Sequence, residues 1–166
     1  MATTQLKGQT LHTSGSLPKA GMPAPDFTAT KSDLSDVKLS DYLGKKVILN
    51  VFPSIDTGVC AQSVRTFNKA AASLQNTQVL CISKDLPFAQ ARFCGAEGIA
   101  NVTTLSVFRD DTFAKAYGVE LAESVMRGLL ARCVFVVDEK GQIVYEELVP
   151  EITSEPNYQA ALDALK

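Results

Sequence analysis

The chain is short of most residues that advertise a function. It has one histidine, His12, and four cysteines, Cys60, Cys81, Cys94 and Cys133, with no C-x-x-C pair among them. Structural zinc sites draw ligands from close Cys/His pairs, so this spacing argues against a metal, and no cofactor is expected. No stretch approaches the roughly 18 consecutive apolar residues of a membrane span. The opening residues, MATTQLKGQTLHTSGSLPKAG, carry no charged-then-apolar leader pattern, which makes a cytosolic location the expectation. Excess charge of one sign is missing too: a net charge of −2 with acids and bases interspersed offers no basic stripe to phosphates or anionic lipid, so neither nucleic acid nor a membrane is expected as partner. Seven prolines, without repeats or low-complexity tracts, exclude collagen-like and disordered classes.

What is present is an ordinary globular composition, 46% hydrophobic and 20% charged over 166 residues. That suffices for one domain, residues 1–166, with its own apolar core. Gln5 to Thr13 reads as a short hairpin around Lys7-Gly8, and Asp26 to Thr30 as a short strand. VILNVF (Val47–Phe52) is a β-branched apolar run suited to a strand buried on both faces, ending at Pro53. A helix follows whose inward face is Cys60, Val64, Phe67, Ala71 and Leu74, at steps of four and three. QVLCIS (Gln78–Ser83) is the next buried strand. Asp85-Leu86-Pro87 opens a helix that ends at Cys94-Gly95. Val102 to Val107 is a strand, and Asp110 or Asp111 caps a short helix that runs to Tyr117 and stops at Gly118. LLARCVFVVD (Leu129–Asp138) and Ile143–Val149 pair as an antiparallel hairpin. A last helix starts at Pro156 and presents Tyr158, Ala161, Leu162 and Leu165 on one face. This alternation predicts an α/β sandwich with a mixed central sheet flanked by helices.

Free cysteine is usually buried packing, so each of the four needs a reason to be more. Cys60 has one: PSIDTGVC follows a buried strand and opens a helix, where unpaired amides and the helix dipole favour a thiolate. The same amides suit a developing oxyanion. Thr57 can donate its hydroxyl to the sulfur or to a bound peroxide, and Pro53 can shield the sulfur from water. Taken singly, Thr57 reads equally as a helix cap and Pro53 as a strand terminator. Arg132 adds weight, because a guanidinium inside LLARCVFVV is buried and needs an anion. That anion is either a carboxylate such as Asp56 or Glu120, or a thiolate and peroxide at Cys60.

Pro53, Thr57 and Cys60 in the spacing P-x-x-x-T-x-x-C, with a later arginine in a core strand, resemble the active site of the peroxiredoxin family. PSIDTGVCAQSVRTFN, VLCIS with DLPFAQARFCGAEG, AYGV and GLLARCVFVVD extend that resemblance over most of the chain, toward the bacterial thiol peroxidase subfamily. The resemblance implies a thioredoxin-like fold with an added N-terminal β-hairpin. It also implies an atypical two-cysteine cycle within one subunit, with Cys60 the peroxidatic and Cys94 the resolving cysteine, joined in a Cys60–Cys94 disulfide. Thr57, Pro53 and Arg132 match the remaining active-site positions. Hydrogen peroxide and organic hydroperoxides are the implied substrates, thioredoxin the implied reductant and a homodimer the implied assembly. Cys133 is outside the family pattern; in a strand it faces away from Arg132, and it and Cys81 are expected to be inert. Because both catalytic cysteines lie in helical turns, at least one turn must unwind for their Cβ atoms to come within about 4 Å. A dithiol oxidoreductase would want a C-x-x-C at the helix start. A non-enzymatic peroxide sensor would use the same Cys60.

Overall fold

The computed structural model describes residues 1–166. The apolar runs become a seven-stranded mixed sheet. Its order is β4 (Asp36–Lys38), β3 (Thr28–Thr30), β7 (Thr103–Ser106), β6 (Thr77–Ser83), β5 (Lys46–Val51), β8 (Cys133–Val137), β9 (Ile143–Leu148). β5, β6 and β7 are parallel neighbours, joined by α1 (Gly58–Ala71) between β5 and β6 and by α2 (Pro87–Glu97) between β6 and β7. β8 and β9 complete one side antiparallel, as expected for the LLARCVFVVD hairpin.

The central strands are apolar at nearly every position because both faces are covered. Alternate residues sort cleanly. Val47, Leu49 and Val51 of β5, with Leu80 and Ile82 of β6 and Cys133, Phe135 and Val137 of β8, pack in one core with Phe113 and Tyr117 of α3 (Thr112–Tyr117). Ile48, Val79, Cys81, Val134 and Val136 face the opposite core, against Cys60, Val64 and Phe67 of α1 and Ala161 of α4 (Tyr158–Asp163). The helical face read from α1 holds for Cys60, Val64 and Phe67, which are fully buried, and for Ala71 at its end; Leu74 lies past the end of the helix and packs against the same core from the turn that follows. Gly118 closes α3 at φ 64°, and a Cβ there would lie 2.7 Å from backbone atoms of Gly15 and Ser16, so only glycine fits.

Several boundaries differ from expectation. Leu129 to Arg132 is not strand: Leu130 bridges Glu120, the Ala131 amide donates to Val119, and β8 begins at Cys133. Arg132 thus sits at the mouth of a strand instead of inside one. α2 runs past Cys94-Gly95 to the left-handed cap Gly98 (φ 65°), which places Cys94 within its last turns. The start of α2 is as read, with Leu86 at the N-cap position and Pro87 the first helical residue. The edge strand β4 and the 3-10 turn Leu39–Tyr42 were not foreseen.

The N-terminal hairpin, β1 (Thr3–Leu6) and β2 (Gln9–His12), turns at Lys7-Gly8 with both φ positive (49° and 83°), as a tight hairpin turn requires. The turn is held from outside: Glu151 accepts hydrogen bonds from the amides of Lys7 (3.1 Å) and Gly8 (2.9 Å) and from the amide and hydroxyl of Thr153. Backbone donors, Gly8 foremost, bring its carboxyl down from an ordinary 4.5 to about 2. A depressed carboxylate contributes stability above its unfolded value and loses it as pH falls through the folded one. The difference in Tm between wild type and Glu151→Gln is therefore expected to be constant above pH ~5 and to vanish toward pH 2. A gap unchanged across that range in pH-stepped thermal melts would refute this account of the latch.

Candidate active site

The loop after β5 leads through buried Pro53 to Thr57, which occupies the N-cap position of α1. Cys60, in the first turn, belongs to a turn whose amides have no partner one turn back. Thr57 is a cap by position only: its hydroxyl donates to the Ser54 carbonyl (3.1 Å) and makes no capping bond. The Cys60 sulfur is fully buried and accepts a hydrogen bond from Nη2 of Arg132 at 3.2 Å.

Arg132 decides between the two readings of its burial. It is 3% exposed, yet it meets neither candidate carboxylate: Asp56 pairs with Arg92 and Glu120 with Lys84. Its Nε donates to the Ile152 carbonyl (2.7 Å), and Nη1 has no protein partner at all. A buried guanidinium with a thiol as its only side-chain partner is costly in a resting protein. Its surroundings suit an anion that forms at the sulfur and an oxygen that arrives at Nη1.

Pro53, Thr57 and Arg132 line a cleft of about 270 Å³ together with Leu6, Gly58, Val59, Met126, Ile152 and Thr153. Leu6 comes from the hairpin, while Met126 and Ile152 belong to the small cluster that fastens the hairpin to the sheet. Sequence reading missed these walls and the Ile152 carbonyl. Leu6 and Ile152 are each a single apolar residue between polar neighbours, and Met126 follows only one other, Val125.

Of the five predicted site residues, four converge here and Cys94 does not. All four cysteines are free thiols. Cys94 is half-buried and lines a separate cleft with Ala91, Ile99, Thr103 and Thr104, none of which borders the first. Burial pushes its thiol up, partly offset by Thr104. Cys81 and Cys133 are fully buried in β6 and β8; burial pushes Cys81 up to about 12 and Cys133 further still. Neither lines either cleft, and no group of histidine, cysteine or acidic side chains is arranged to hold a metal.

Comparison with known proteins agrees with this architecture. The family described as Redoxin matches residues 19–162. A thiol peroxidase of Corynebacterium glutamicum is 56% identical over 165 residues, covering 99% of each chain, and one of Mycobacterium tuberculosis is 55% identical over the same extent. Among solved structures, a peroxiredoxin-like protein from Aquifex aeolicus superposes with a TM-score of 0.93 at 37% identity, over 98% of this chain and 95% of that one. With a thioredoxin-like sheet, a hairpin at its start and a thiol set against a buried arginine, the chain belongs to the redoxin family, among the bacterial thiol peroxidases of the peroxiredoxin type.

Proposed function

We propose that the protein reduces hydroperoxides through a two-cysteine cycle, and the observation that carries this reading is the Arg132–Cys60 contact beneath an apolar cleft. The Cys60 thiolate attacks the terminal oxygen of ROOH. The S–O bond forms as the O–O bond breaks, and the alkoxide leaves with the proton shed by the thiol, giving alcohol and a sulfenic acid. The sulfur is oxidised by two electrons and the peroxide reduced by two. Arg132 Nη2 holds the sulfur anion and Nη1 is the donor left for a peroxide oxygen. Thr57 has its own proton committed to Ser54, so its Oγ1 offers a lone pair to the hydroperoxide hydrogen. Pro53 excludes water. The apolar walls from Leu6, Val59, Met126 and Ile152 accommodate the alkyl part of an organic hydroperoxide.

Cys94 then attacks the sulfenic sulfur, forming the Cys60–Cys94 disulfide and releasing water. Since the two thiols occupy different turns and clefts, α2, α1 or both must unwind locally. Thioredoxin is the reductant: its dithiol restores both thiols and becomes the disulfide. The half-buried Cys94 is the end of the disulfide that a protein thiol can reach. Residues 1–166 act as one domain in the cytosol. The molecule works as a homodimer, for which exposed Leu86, Phe88 and Phe108 supply apolar surface near the ends of β6 and β7. No helix is long and apolar enough to cross a membrane.

Steady consumption of cumene hydroperoxide with thioredoxin, thioredoxin reductase and NADPH tests the cycle, and a single stoichiometric burst would instead make the protein a peroxide sensor. Cys94→Ser is expected to complete one turnover at wild-type attack rate and stop at a trappable sulfenic acid. Normal thioredoxin-dependent cycling in that variant would place the resolving thiol elsewhere.

A further inference from the structure

Between the loop that leads to Cys60 and the helix that carries Cys94 lies a half-buried carboxylate, Asp85. Its Oδ1 accepts from the Ser54 hydroxyl (2.8 Å), and its Oδ2 from the Ile55 amide (2.7 Å) and the Ser83 hydroxyl (2.6 Å). Ser54 in turn supplies the carbonyl that takes the Thr57 hydroxyl (3.1 Å). On the other side, the Ser83 oxygen accepts from Nε2 of Gln90 (3.1 Å), a fully buried side chain one turn before Cys94 on α2. Gln90 Nε2 also reaches the Leu105 carbonyl (3.0 Å), but its Oε1 is buried with no partner. An unpaired buried acceptor is a standing cost of keeping α2 docked, one that is relieved when the helix unwinds into water.

We propose that Asp85 is a positioning residue for the peroxidase cycle: through Ser54 and Ile55 it sets the attacking loop, through Ser83 and Gln90 it holds α2 wound, and the two are released together when the disulfide forms. This rests on the two-cysteine reading above. The surface pair Arg92–Asp56 also joins α2 to the loop, but its side chains are 65% and 59% exposed, and such pairs contribute little. The buried network is the tie that matters. Long-lived docking favours attack and delays resolution; weaker docking does the reverse.

Asp85→Asn keeps the shape but loses the charge and one acceptor oxygen. It is expected to slow single-turnover oxidation of Cys60 by cumene hydroperoxide about tenfold, while the sulfenic acid converts to disulfide several-fold faster, on the order of one charge-assisted hydrogen bond. Gln90→Met fills the volume but removes the ties to both Ser83 and Leu105; the docking cost of the orphaned oxygen that goes with them is offset by the Leu105 carbonyl that loses its donor, so the net loss is the tie to Ser83. This variant is expected to slow attack at most about threefold and to speed resolution about fivefold, as loss of a neutral hydrogen bond would. Rapid quenching with thiol alkylation and mass spectrometry reads both steps. A merely structural role would slow attack without quickening resolution. If the wild type forms no Cys60–Cys94 disulfide, the cycle fails and this proposal with it. If the disulfide forms but neither variant accelerates it, the coupling alone is overturned.

Discussion

Cys60→Ser is expected to abolish catalytic peroxide consumption, lowering it by a factor on the order of 10⁴ or more, the scale of losing a covalent nucleophile. The substitution is close to isosteric in a fully buried position, and a serine oxygen can still accept from Arg132 Nη2, so the fold should persist. What disappears is chemistry: a hydroxyl is scarcely ionised at neutral pH and cannot hold the transferred oxygen as a sulfenic acid. The remaining thiols give no substitute, because Cys81 and Cys133 are sealed in the sheet and held as neutral thiols by burial. Cys94 faces another cleft without a buried cation among its lining residues. Peroxide consumption above about one per cent of wild type in coupled NADPH assays would place the nucleophile elsewhere; that threshold lies far above the residual activity expected after loss of a nucleophile.

Arg132→Met is expected to lower the second-order rate of Cys60 oxidation by about 10²–10³-fold, the range for deleting a preorganised donor aimed at developing charge. Stability should change little. Replacing a buried charge by an apolar side chain of similar length removes both a desolvation cost and the unpartnered Nη1, set against an orphaned Ile152 carbonyl. Arg132→Lys keeps the charge but not the planar fork that spans Ile152 and Cys60, and it should recover only part of the loss. Single-turnover kinetics, with thermal melts alongside, separate the outcomes: a large drop in Tm with an unchanged attack rate would make Arg132 a structural residue.

Where burial follows a repeating pattern, the sequence could be read directly. Cys60, Val64 and Phe67 recur at helical spacing and all face the core, and VILNVF and QVLCIS are apolar at most positions because both faces of β5 and β6 are covered. The pattern misled where one apolar run serves two purposes. Leu129 to Arg132 looks like the start of β8, yet its backbone pairs with Val119 and Glu120 before the strand begins. Gly95 and Gly98 both offer a helix stop, and only the left-handed geometry at Gly98 settles which is used. β4 has two exposed residues and one half-buried valine, too little contrast to show. Pro53, Thr57, Cys60 and Arg132 could be identified through family resemblance. Asp85, Glu151 and Ile152 could not, since their roles rest on partners remote in sequence and often on backbone atoms, which leave no side-chain signature.

The sorting of alternate residues to opposite faces of β8 has a further consequence. Arg132 and Cys133 are adjacent in sequence, but the Cys133 side chain lies in the core on the far side of the sheet from Cys60, Cys81 and Cys94. The sheet is thus a partition in a molecule whose proposed cycle repeatedly makes and breaks a disulfide. A thiol beside the active arginine cannot be drawn into scrambled pairings while the central strands stay hydrogen-bonded. Local unwinding of helices can then proceed with Cys133 walled off by backbone that never has to move, while Cys81, on the catalytic side, is held inside β6.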